Sequence, residues 1–382
     1  MSQYDYLIVG SGLAGCVLAR KLAEDNKKIL IVDRRNHIAG NTYDYINEAN
    51  VRVQKYGPHV FHTNSDKAYN FISSFCTPLP YKTRCEAVIN EISTPSPFNF
   101  KTIDQFYSYA QATELKKHIN DYYGSATSAT VLDMLNCKDE MICQYARFLY
   151  ENDYKLYTAK QWNVMPEDID PSVLARVPIL FSYRDTYFDD KYEFMPKDGF
   201  EQFCNRLLMH CNINVLLNKD ALEDISLDET TYSIRYEGKE IPIIYSGAID
   251  ELFGYKYGRL PYRSLKFEIK TLPQKSHQNV AIVAYPQKNG YTRVTEYTKM
   301  PVQEMKDTTV IAYEYPIPYG QEEGMEPYYP VLMETSIQMY KEYKQYADKF
   351  KKLTLCGRLA DFKYYNMDQV ILRALEVYES LK

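Results

Sequence analysis

The chain opens with a run of β-forming residues, Tyr4–Val9 (YDYLIV), followed by Gly10-Ser11-Gly12-Leu13-Ala14-Gly15. Next comes VLARKLAED, whose apolar positions recur at helical spacing. Lys28–Val32 (KILIV) is a second continuous apolar run, ended by Asp33. Strand, glycine turn, helix and strand in that order predict a βαβ unit and therefore a parallel sheet. From about Thr102 to Leu156 the period becomes helical, in TIDQFYSYAQATELKKHIN, ATVLDMLN and KDEMICQYARFLYENDYKLY, which predicts an inserted bundle. Tyr81–Ile92 and Pro178–Phe194, on either side of it, read as strand-like. Between Tyr255 and Val331 the runs SLKFEIK, NVAIVAYP, YTRVTEY and TTVIAYEYP have the near-alternation of a mostly antiparallel sheet. The chain closes with a strand at Leu353–Cys356, then Gly357-Arg358, a loop, and a helix from about Met367 to Leu381. The predicted class is α/β: a Rossmann-like parallel-sheet domain, an inserted helical bundle and an antiparallel sheet layer.

Composition narrows the function. The 382 residues are 45% hydrophobic and 25% charged, which is globular and not disordered. A net charge of −5 argues against general nucleic-acid binding, which favours a basic surface. No apolar run approaches the ~20 residues of a membrane span, and the short apolar start does not read as a signal peptide. The eight cysteines are scattered, without CxxC or Cys/His spacing, so reduced thiols, a cytoplasmic setting and no metal site are expected. Thirty-eight tyrosines against one tryptophan leave two readings open: half-buried packing, or a polar aromatic cleft for a ligand with hydroxyls and phosphates.

GSGLAG matches G-x-G-x-x-G directly after a predicted strand and at the opening of a helix, with an acid at Asp33 near the ~20-residue spacing of dinucleotide folds. Gly10 would allow the tight turn, Gly12 the approach of a pyrophosphate, and Gly15 close helix–strand packing, while Asp33 would meet a ribose. The following segment, Arg34 to Asn41, adds basic residues and a second glycine turn at Gly40. That pattern, with the strand-Gly-Arg-loop-helix unit near 353–381, is similar to flavoproteins in which a C-terminal helix returns to the cofactor. FAD is therefore the expected cofactor, with residues 1–77, 198–252 and 333–382 forming its domain. Residues 98–165 would form the bundle, and 78–97, 166–197 and 253–332 the sheet domain.

Eight ordered segments carry a closer resemblance: YDYLIVGSGLAG, RRNHIAGNTYD, KYGPHVFHTN, YTAKQW, YSGAIDELFGYKYGRLPYRSLKF, YTRVTEY, EPYYPV and GRLADFKYYNMDQV. Over essentially its whole length the sequence resembles the UDP-galactopyranose mutases. The resemblance implies interconversion of the pyranose and furanose forms of a nucleotide-diphosphate sugar. It further implies a requirement for reduced FAD, nucleophilic attack of flavin N5 on the anomeric carbon through a flavin–sugar adduct, and a role in cell-surface polysaccharide synthesis. A homodimer is compatible with it.

The same resemblance assigns residues. Tyr157, Thr158 and Trp162 of YTAKQW correspond to the nucleoside-binding face, Tyr157 offering a ring to the base. Arg176 (LARVPILF) and Arg293 (YTRVTEY) correspond to two arginines that grip the diphosphate, where a guanidinium fork matches phosphate oxygens. A loop near Arg176 would close on substrate. Tyr187, Tyr329 and Tyr364 match tyrosines that reach the diphosphate; His62 and Arg358 would lie near the flavin, with Met367 beside it; Glu314 matches a carboxylate near the sugar.

Three positions depart from the galactose pattern: Thr83 and Val283 each stand in place of Asn, and Asn366 in place of Asp. All three are expected on the sugar side of the pocket. Losing a polar partner leaves a buried hydroxyl unpaired at ~1–3 kcal/mol, so an altered sugar, such as the 6-deoxy sugar fucose on dTDP, stands beside UDP-galactose. Ala14 is a smaller departure within the glycine loop. A third reading, an amine-oxidase-like flavin oxidoreductase, shares the nucleotide loop but has no use for two phosphate-gripping arginines.

Overall fold

The computed structural model describes residues 4–162, 177–320 and 325–382. Five strands form a parallel sheet in the spatial order Ile213–Leu216, Ile29–Val32, Tyr6–Val9, Ile243–Tyr245, Leu353–Leu355. Numbered along the chain this order is 3-2-1-4-5, the doubly wound arrangement, and the order reverses between Tyr6–Val9 and Ile243–Tyr245. Ile29–Val32 is buried at every position, as a strand covered on both faces must be. Leu13–Glu24, Phe200–Leu208 and Met367–Ser380 bury their apolar faces in the cluster on one side of the sheet. A second cluster, containing Tyr343 and Phe350, covers the other side. The sequence pattern did not disclose the small antiparallel meander of Ile225–Asp228, Ser233–Tyr236 and Lys239–Glu240.

The helical insertion has its own apolar cluster, built from Leu115, Ile119, Ile142, Tyr145 and Leu149 among others. Its helices start at legible caps: Ser108 and Thr130 each form a capping box, and Asp139 accepts from the Met141 and Ile142 amides. After Glu140–Leu149 the chain widens into a π-helical turn, Tyr150–Tyr154, and continues as the helix Lys155–Trp162.

A seven-stranded sheet supplies the third layer; its longest strands are the antiparallel pair Tyr262–Leu272 and Thr309–Pro318, and Arg293–Glu296 lies at its centre. The expected mostly antiparallel layer is borne out, with five of its six strand pairings antiparallel and one exception. Ile282–Ala284 pairs in parallel with Cys85–Ile89, so the sheet is mixed. The two strands come from segments nearly 200 residues apart, and alternation along a single strand carries no information about a partner's direction. A smaller antiparallel sheet of Phe61–Thr63, Tyr192–Pro196 and Pro78–Pro80 ties this layer to the first.

Candidate active site

At the switch point the glycine loop is shaped by contacts that leave no room for side chains. Gly10 has φ +101°, and a Cβ there would lie 2.2 Å from the Ser246 hydroxyl oxygen on the neighbouring strand. A Cβ on Gly15 would lie 2.0 Å from the Gly10 carbonyl oxygen, which explains why helix and strand can close. Gly12, the N-cap of Leu13–Glu24, offers no side chain to its first amides, and Gly40 (φ +53°) packs against it. A groove of about 200 Å³ runs over these residues, with Asp33, Arg34, Asn41, Arg358 and Met367 in its wall. Free helix amides at a side-chain-free floor suit a pyrophosphate, so the residues present fit a dinucleotide such as FAD.

Two predicted cofactor residues are more committed than expected. Asp33 accepts from the Ser11 amide and hydroxyl (2.7 and 2.6 Å) and from the Arg35 amide (2.9 Å). Those bonds fill three of its about four acceptor positions, so it shapes the loop and keeps one position for a ribose. The Arg34 guanidinium is held by Glu251 (3.2 Å) and Glu326 (3.4 Å), and Arg35 joins Glu326 at 2.8 Å. Arg34 thus belongs to a network of ion pairs in the groove wall.

The groove opens into a larger cleft of about 490 Å³, and His59, Arg358 and Met367 line both. The wider cleft gathers His62, Thr83, Tyr157, Thr158, Tyr187, Arg293, Tyr329, Tyr364 and Asn366 from the three layers. The rings of Tyr329 and Tyr364 stack at 5.3 Å, and the Arg358 guanidinium lies 4.9 and 5.6 Å from their centres. Arg358 is oriented by the Tyr365 carbonyl (2.7 Å) and the Tyr328 carbonyl (3.3 Å). His62 stacks on Phe188 at 3.7 Å, with Nδ1 2.8 Å from Asp190. Arg293 donates through Nε to Glu314 Oε2 at 2.6 Å. Burial disfavours its charge, yet Glu314, Tyr157 and Tyr329 hold its pKa above the usual arginine value.

Three site expectations change. Glu314 is buried and absent from the cleft wall; it stands behind Arg293 as its positioning carboxylate. Val283 also faces away: its strand neighbours Ile282 and Ala284 line the cleft, because successive side chains alternate. Gly15 sits inside the loop and does not line the groove. Arg176 lies outside the described residues, as does the side chain of Trp162.

Other groups in the cleft had not been singled out. Burial, aided by Arg358 and Arg293, pushes His59 down to about 4 against the pull of its bond to the Gly57 carbonyl, so its imidazole is neutral near pH 7. Arg263 is a further cleft-lining guanidinium, lowered by burial to about 10. Asp153, on the π-helical turn, is raised by burial to about 7 although Lys160 opposes the shift. The spacing of four residues from Asp153 to Tyr157 could have pointed to it; His59 stood in the motif already quoted.

Comparison with known proteins agrees with this geometry. Residues 152–364 match the family described as UDP-galactopyranose mutase, and residues 8–75 match the NAD(P)-binding Rossmann-like domain. A dTDP-fucopyranose mutase of Escherichia coli is 35% identical, over 97% of this chain and 96% of its own. A UDP-galactopyranose mutase of Mycoplasma genitalium is 33% identical, over 100% of this chain and 95% of its own. Among solved structures, a reduced UDP-galactopyranose mutase superposes with TM-score 0.72 at 12% identity, covering 99% and 95% of the two chains. Putrescine oxidase bound to putrescine shares the fold at TM-score 0.56 and 10% identity, covering 99% of each chain. The glycine-loop groove, the arginine- and tyrosine-lined cleft and full-length relatives above 30% identity together place this chain in the UDP-galactopyranose mutase family.

Proposed function

We propose that the protein interconverts the pyranose and furanose forms of a nucleotide-diphosphate sugar, UDP-galactose being the first candidate. The observation that carries this reading is half-buried Arg293, paired with buried Glu314, beside stacked Tyr329 and Tyr364 in a cleft that adjoins the glycine-loop groove. Reduced FAD, when bound, supplies the nucleophile for the anomeric carbon. Arg293, its charge fixed by Glu314, binds the diphosphate and stabilises it as it departs and returns. Arg176 shares that task in this reading. Tyr187, Tyr329 and Tyr364 donate neutral hydrogen bonds to phosphate oxygens, and Tyr157 and Thr158 hold the nucleoside. His62, fixed by Asp190 and Phe188, borders the sugar, and the layers around the cleft keep water from the reacting carbon. Asp33 and the amides after Gly12 hold the cofactor.

One observation favours dTDP-fucopyranose as a second substrate reading. Ile282 and Ala284 add hydrocarbon to the cleft wall, which suits a sugar with one hydroxyl fewer. Dithionite-reduced enzyme incubated in parallel with UDP-galactofuranose and dTDP-fucofuranose, with chromatographic separation of ring forms, tests both. Conversion of either supports the mutase reading, and the faster substrate assigns the sugar. No conversion of either overturns it.

A further inference from the structure

Resting on the reading that the cleft takes a nucleotide-diphosphate sugar, we propose that Asp153 reads the base, its carboxylate accepting the N3–H of uracil or thymine beside Tyr157 and Gln161. The three residues follow at intervals of four along the π-helical turn and the helix after it, and all line the cleft. Asp153 has no hydrogen-bond partner among the described residues. Lys160 does not neutralise it through a direct bond, because its ammonium donates to the carbonyls of Tyr285 (2.6 Å), Lys288 (2.7 Å) and Tyr291 (3.1 Å). Asp153 is half-buried in the cleft wall, and the Gln161 Oε1 is buried without a partner among the described residues. A carboxylate in a cleft wall with no protein donor is open to a donor from solvent or from a ligand, and a ligand that displaces the solvent must bring its own.

Uracil and thymine offer a single N–H flanked by two carbonyl oxygens. Asp153 takes the N–H, and the Gln161 amide, whose oxygen and nitrogen exchange by a flip, donates to a flanking carbonyl. Cytosine presents a bare N3 lone pair at the same place, so two acceptors would meet. The tyrosine beside the carboxylate supplies a ring face that does not discriminate between bases. The carboxylate supplies the discrimination.

Burial holds Asp153 protonated up to about pH 7 in the free protein. Above that it accepts from uracil; below it, the acid can donate to cytosine N3. Lys160, Tyr154 and Tyr157 on its own segment interact with it, and Cys85 and Glu86 from the strand Cys85–Ile89, with Tyr187 and Arg293, are among the titratable groups that other elements bring to the same cleft. Of these, Lys160, lowered by burial to about 8, titrates nearest the range of interest. Comparing two bases at each pH cancels its effect, together with ionisation of the shared diphosphate.

The test is calorimetric titration of the yellow holoenzyme with UDP, dTDP, CDP and GDP at pH 8 and pH 6. At pH 8, UDP and dTDP are expected to bind about tenfold more tightly than CDP, the penalty of an unmet buried acceptor. At pH 6 that ratio narrows to about threefold or less. Asp153→Asn, able to donate to cytosine, abolishes the pH dependence and brings CDP level with UDP. Equal binding of UDP and CDP by the wild type at pH 8 overturns the inference, as does a preference for GDP or an Asp153→Asn enzyme that keeps the wild-type preference. Failure to bind any nucleoside diphosphate overturns the functional reading as well. If the variant loses its flavin and does not fold, the wild-type ratio against pH decides alone.

Discussion

Arg293 and Glu314 form a unit whose members have different tasks. The guanidinium faces the cleft, while the carboxylate is buried behind it and touches no ligand space. Arg293→Ala is expected to lower kcat/KM by at least about a hundredfold while leaving a folded yellow protein. Glu314→Gln keeps an acceptor but removes the charge, so KM should rise about tenfold with a smaller change in kcat; steady-state kinetics on both variants checks the split. The sequence motif revealed Arg293 because the arginine is the chemically distinctive member. It could not reveal which way Glu314 turns, since strand burial depends on what covers the sheet. Val283 illustrates the same limit: a one-residue shift in alignment exchanges the faces of a strand, and Ile282 and Ala284 prove to be the cleft residues. His59 carries a pH consequence. An unfolded histidine takes a proton near 6.5 and the folded one only near 4, so its stabilisation is complete above pH 6.5 and is lost as pH falls toward 4. The melting temperature of the wild type should fall more steeply over that interval than that of His59→Gln.

Elements differ in how far they could be read. The opening strand–loop–helix was legible because its constraints are local: Gly10 needs a positive φ and Gly15 a missing Cβ, and both requirements lie within ten residues of each other. Gly15→Ala should destabilise the protein by about 1–3 kcal/mol through overpacking and weaken flavin retention; denaturant unfolding and absorbance after gel filtration measure the two. The parallel pairing of Ile282–Ala284 with Cys85–Ile89 was not legible, because it joins distant segments. Between these layers Lys160 acts as a clip, its ammonium capping three carbonyls of the turn that leads to Arg293. Lys160→Met keeps the hydrocarbon stem but loses the clip, and kcat/KM is expected to fall about tenfold, with the loss appearing mainly in KM.

At the scale of the whole molecule, the glycine-loop groove and the larger cleft adjoin, with His59, Arg358 and Met367 lining both, and the cleft draws on three layers. Among the described residues no helix is long and apolar enough to cross a membrane. The domain segments proposed from sequence place the cleft where the parallel sheet, the helical insertion and the mixed sheet meet. The fold is shared with putrescine oxidase, so architecture cannot separate a mutase from an oxidoreductase; the electron balance can. The most direct measurement follows flavin absorbance and ring-form composition together, in one anaerobic cuvette of dithionite-reduced enzyme with a furanose nucleotide sugar. Many turnovers of furanose to pyranose with the flavin still reduced at the end are expected. Flavin oxidation in step with substrate loss, or no pyranose product, would contradict a mutase.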